Sequence, residues 1–119
     1  MSQTSAAQGT AKSIALMNRR ATIRYQCAPA TVGRVFSADD QEFQRAWILD
    51  LSLKGIGMQL LRPLEPGQMI AVAIKSNDGK KTFDLSAHVM HCHVNQQGEC
   101  NVGCELTIPL TPDELDQLL

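Results

Sequence analysis

Between residues 68 and 98 the chain reads QMIAVAIKSNDGKKTFDLSAHVMHCHVNQQG. Residues 68–75 are an apolar run of β-favouring side chains, and residues 81–94 form a longer one. Asn77-Asp78-Gly79 separates them, and Asp-Gly tolerates the positive φ of a tight hairpin turn. Gln96-Gln97-Gly98 then turns the chain back into residues 99–108. Hairpin-joined strands of this kind are antiparallel.

The same grammar extends upstream. Residues 45–51 (RAWILDL) and 55–61 (GIGMQLL) read as strands, with Ile56, Met58 and Leu60 on one side. The PLEPG stretch at 63–67 is a turn. Residues 25–36 are extended but irregular, because Pro29 and Gly33 interrupt them, and residues 37–40 (SADD) form another turn. Six or so strands at this spacing predict a small antiparallel barrel or sandwich. Downstream, Thr111-Pro112-Asp113-Glu114 is a Thr-x-x-Glu capping box with proline at the first helical position. Leu115, Leu118 and Leu119 then mark one face of a short C-terminal helix. The fold class is all-β with that single helix.

Composition bounds the function. At 119 residues and 44% hydrophobic content, the chain makes one domain with one core. Its net charge of −1 lacks the field of a general DNA or RNA binder. Aromatics are 4% of residues, too few for rows of base-stacking rings. No apolar run reaches the ~20 residues of a membrane span, and the N-terminus is not organised as a secretory signal. A cytoplasmic protein without membrane insertion is expected. Residues 1–16 read as a flexible tail, and residues 17–119 as the domain.

The cysteines and histidines invite a metal reading. His88, His91, Cys92 and His93 are followed by Cys100 and Cys104, all zinc-type ligands. No CxxC knuckle is present, however. Simple alternation puts His91 and His93 on one strand face and His88, Met90, Cys92 and Val94 on the other. Cys104 alternates with Val102, Leu106 and Ile108 on an inward face. The reading favoured is buried thiols and strand histidines, with no metal site and no cofactor. No nucleophile–base–acid set is legible, so an enzyme is not expected.

Two clusters carry chemistry. Before Asp39 the chain holds Lys12, Arg19, Arg20, Arg24 and Arg34 and no acid at all. Arginine presents a planar fork of donors that suits phosphate or the O6/N7 edge of guanine. The second cluster is Asp50-Leu-Ser52-Leu-Lys-Gly55. Its carboxylate offers two acceptors, its serine donates and accepts, and its glycine permits positive φ or a close backbone approach. Taken singly, the clusters read as a solvated basic linker and a plain turn.

Together they resemble the PilZ domain family. Arg20 and Arg24 give RxxxR, Asp50, Ser52 and Gly55 give DxSxxG some 26 residues further on, and the chain ends in Val102-Gly-Cys-Glu-Leu106 and the TPDEL helix start. The resemblance implies a six-stranded antiparallel β-barrel that binds the bacterial second messenger cyclic di-GMP. In that reading Arg20 and Arg24 grip phosphate and guanine, Asp50 and Ser52 read a guanine edge, and Gly55 keeps the turn open. Arg19 resembles the extra arginine of members that take two stacked ligands. The reading is of a receptor or adaptor whose N-terminal arginine segment orders on binding and signals to an unidentified effector; because the C-terminal helix is too short for a coiled coil, a monomer is expected. The alternative is a β-barrel protein-interaction module that binds no nucleotide.

Overall fold

The computed structural model describes residues 23–28, 31–38 and 43–119. The predicted tail, Arg19, Arg20, Pro29 and the second half of the turn at 37–40 lie outside them. Among the described residues seven strands are formed: β1 Tyr25–Gln26, β2 Val32–Ser37, β3 Gln44–Leu51, β4 Gly55–Leu60, β5 Met69–Lys75, β6 Thr82–Val94 and β7 Cys100–Leu106. The helix α1 Pro112–Leu118 follows β7.

Every pairing is antiparallel. The order β3-β2-β5-β6-β7-β4 returns to β3 through the β3–β4 ladder, so six strands close into a barrel. The two-residue β1 shares an edge of β3 with β2. Val32 to Val35 pair with Trp47 to Gln44, and Tyr25 and Gln26 take Leu51 and Asp50. Strands β1 and β2 thus take successive lengths of the same β3 edge. Closure leaves β3 and β4 no open edge against each other, which removes a template for unwanted pairing.

Period-two alternation fills the interior. Val35, Ile48, Ile56, Met58, Leu60, Val72, Ile74, Val89 and Val102 are all at most 3% exposed. Cys100 and Cys104 join them as small apolar fillers. Helix α1 sets Leu115 and Leu118 against this core. Its start carries the expected box: Glu114 N donates to Thr111 Oγ1 at 3.1 Å, and Thr111 N donates to Glu114 Oε1 at 2.8 Å. Its end is held by the β5–β6 loop, where Asn77 N donates to Gln117 O at 2.7 Å. One orphan carbonyl of the last turn is satisfied in this way.

Three local expectations are corrected. The β5–β6 connection is wider than a two-residue hairpin, since the last ladder pair is Lys75↔Thr82. Ser76 Oγ accepts from Lys81 N and donates to Asp78 Oδ1, which itself accepts from Lys80 N. These side chains close the loop, and Gly79 supplies the left-handed φ of 75°. Ile108 is 77% exposed because β7 ends at Leu106. Finally, a β-bulge lies between Val89 and His91. It separates His88 and Met90 from Cys92, which packs against the core instead of sharing their outer face.

Candidate functional site

Strand β1 brings the two sequence clusters together. Its pairing Gln26↔Asp50 places Arg24 beside the far end of β3. From there Arg24 Nη1 donates to Asp50 Oδ1 at 2.7 Å. The pair is half-open to solvent, with side-chain exposures of 48% and 30%. Arg24 Nη2 also reaches the turn, lying 3.1 Å from the point where a Cβ on Gly55 would stand. One arginine of the RxxxR cluster and the carboxylate and glycine of DxSxxG therefore form one constellation. Arg19 and Arg20 lie outside the described residues.

The turn itself is internally satisfied. Ser52 N donates to Gly55 O at 2.9 Å, and Ser52 Oγ accepts from Lys54 N at 3.3 Å. Ser52 is only 4% exposed. Of the two roles open to Gly55, positive φ is not used, since the left-handed glycines are Gly67, Gly79 and Gly98. Close approach is the reason for glycine here: a Cβ would stand 3.3 Å from Cys104 O and 3.3 Å from Ser52 Oγ. The end of β7 and the segment after it pin the turn, through Leu106 N to Lys54 O and Leu110 N to Leu53 O, each 2.7 Å.

Around this constellation runs a row that sequence reading missed. Gln26, Asp50, Gly57, Gly103 and His91 stand opposite one another across β1, β3, β4, β7 and β6. Two adjacent positions in it carry no side chain, which leaves a trough floored by backbone. Asp50 folds over Gly57, where a Cβ would sit 2.8 Å from each carboxylate oxygen. His91 folds over Gly103, where a Cβ would collide with Nε2 and Cε1. Two depressions of about 220 and 380 Å³ open along the trough, and Arg24, His91 and Gly103 line both. The glycines at 57 and 103 were visible as letters, but only the register puts them side by side.

The thiols beside the site are held protonated. Burial pushes the Cys104 thiol up to about 12, with a nearby Cys92 adding to the rise and the Arg24 charge opposing it. Cys27 is pushed up to about 11 by burial and then by the Asp50 carboxylate. His91 and His93 have ring centroids 6.0 Å apart on the outside, while Cys100 and Cys104 are buried. Among the described residues no group of three or more His, Cys, Asp or Glu converges as a metal set, and no helix is long and apolar enough to cross a membrane.

A family model for the PilZ domain matches residues 18–119. The chain belongs to the PilZ domain family. Two solved structures share the fold of this PilZ domain. The PilZ domain of YcgR from Escherichia coli, determined with c-di-GMP, is 18% identical, with a TM-score of 0.60 over 81% of this chain and 82% of that one. The Bacillus subtilis inhibitor of motility MotI/DgrA is 14% identical, with a TM-score of 0.61 over 81% of this chain. This PilZ domain spans 46% of the MotI/DgrA chain. No curated protein matches it in sequence.

Proposed function

We propose that this PilZ domain is a cyclic di-GMP receptor that acts by binding rather than catalysis. The observation that carries the reading is the Arg24–Asp50 contact, which joins two motifs 26 residues apart in sequence. A structural neighbour at low identity was solved with the same ligand. Arg20 and Arg24 supply forked donors to phosphate and guanine, and Asp50 accepts from the N1–H and N2 amine of a guanine. Adenine lacks those donors and leaves the carboxylate unpaired. Ser52 serves through the turn it stabilises, and Gly55 through the space it leaves for Arg24.

Without ligand, Arg24 and Asp50 neutralise each other. Solvent-exposed ion pairs contribute only about 0–1 kcal/mol, so exchanging this contact for phosphate and guanine contacts costs little. Arg19 and Arg20 order over the ligand in this scheme, and the ordered segment is what an effector protein reads. In this proposal the protein is a cytoplasmic monomer.

Isothermal titration with cyclic di-GMP tests the reading. Binding at micromolar affinity or tighter is expected, on the order of −8 kcal/mol, with the stoichiometry showing whether one or two ligands bind. Arg24→Ala should weaken it by about 1.5–3 kcal/mol while leaving the fold intact. No heat and no shift with the wild-type protein would leave the nucleotide-free interaction module in its place.

A further inference from the structure

The trough has two ends, and the sequence motifs account for one of them. Its other end is His91, which is exposed and lines both depressions with Arg24.

The two ends are built by the same device. On β3 the ladder to β4 skips a residue between Ile48 and Asp50. Ile48 points inward, so strict alternation would turn Asp50 inward as well; the extra residue Leu49 sends Asp50 out and returns Leu51 to the core. On β6 the ladder to β7 skips a residue between Val89 and His91. Val89 is buried, so alternation would bury His91; the extra residue Met90 sends the imidazole out over Gly103. Two bulges, on strands separated by β4 and β7, thus aim one side chain each along the same five-residue row. Bulges concentrate where a side chain must be re-aimed. Beneath the aimed groups, Gly57 and Gly103 leave the space that the carboxylate and the ring occupy, and any side chain at 103 would displace the ring.

We infer that His91 is a further ligand-binding residue of this domain, a ring on which a purine base of the ligand stacks at the end of the trough opposite Asp50. The inference deepens the receptor reading and rests on it for the identity of the ligand. An imidazole held over a glycine offers a flat π surface beside the Arg24 cation, which suits a base joined to a phosphate. Gly57 and Gly103 are direct partners, ~4.8 Å apart across the β4–β7 ladder, so the carboxylate and the ring that fold over them stand side by side, placed to meet one ligand by an edge contact and a face contact.

The test has two arms on the full chain. In the first, calorimetry with cyclic di-GMP compares wild type, His91→Ala, His91→Phe and Gly103→Ala. His91→Ala is expected to bind about tenfold more weakly, and His91→Phe close to wild type. Gly103→Ala should lose about as much as His91→Ala, and the double variant no more than either single one. In the second arm, the His91 Cε1–H resonance is followed by NMR during titration with cyclic di-GMP and, separately, with guanosine monophosphate. An upfield ring-current shift is expected in both. A His91→Ala variant that binds the cyclic ligand as wild type does, or a resonance that stays in place in both titrations, overturns the stacking role and leaves the receptor reading standing. Failure to bind cyclic di-GMP while the mononucleotide still moves the resonance removes the receptor reading and keeps the stacking role of His91.

Discussion

Asp50 is held by what stands opposite it. Gly57 faces it across the β3–β4 ladder, and its missing Cβ is the space the carboxylate occupies. Gly57→Ala would put a methyl group 2.8 Å from both oxygens and 3.0 Å from Cγ, inside any allowed contact. The carboxylate must rotate away, and Arg24 Nη1, bonded to it at 2.7 Å, goes with it. Cyclic di-GMP affinity in the Gly57→Ala protein should fall by about tenfold, a loss of one charge-assisted contact, with little change in thermal midpoint; calorimetry and a melting curve check both halves. Asp50→Ala separates charge from shape: its preference for cyclic di-GMP over cyclic di-AMP should shrink towards unity in competition titrations. Arg24, Asp50, Ser52 and Gly55 were readable from the sequence because their chemistry is written in residue type and spacing. Gly57, Gly103 and His91 were not, because their meaning lies in cross-strand register, which is fixed by two bulges that leave no mark on local composition.

Strand β5 and helix α1 show what kind of element a sequence does declare. Met69–Lys75 alternates β-branched residues, and Ile70, Val72 and Ile74 are all buried as that pattern requires. The capping box at Thr111 fixed the start of α1 to the residue, since side chain and backbone exchange two bonds there. Loop widths were less legible: Asn77-Asp78-Gly79 has the letters of a tight hairpin, yet Ser76 and Asp78 close a longer loop that also caps α1. A helix of seven residues has too little length to stand alone, so its stability comes from packing. Leu115 is 1% exposed and faces the core. Leu115→Ala should therefore cost about 2–5 kcal/mol in urea unfolding, against about 1 kcal/mol for Thr111→Ala, which loses only the cap. Equal losses would show that the helix is held by its end rather than by its face.

Closure of the barrel buries the thiols of Cys100 and Cys104 and brings each within reach of the half-buried Cys92. Burial raises Cys104 to about 12 and raises Cys100 as well, Cys92 adding to each. Unfolding returns these groups to an ordinary thiol value of 9.0. The folded molecule therefore keeps protons that the unfolded chain gives up at high pH, and linkage sets the sign. For Cys104 the contribution is complete below pH 9 and drains away as pH climbs from 9 towards 12, at up to about 1.4 kcal/mol per pH unit, and Cys100 acts in the same direction. Urea midpoints measured under reducing conditions should be level through neutral pH and fall from about pH 9 upward. In Cys104→Ala the alkaline slope should be shallower, because one of the protons responsible is gone, although the neutral-pH midpoint drops through the lost volume. A wild-type midpoint that stays level to pH 11 would mean that the thiols ionise inside the barrel as easily as outside it, and that the interior is wetter than its packing shows.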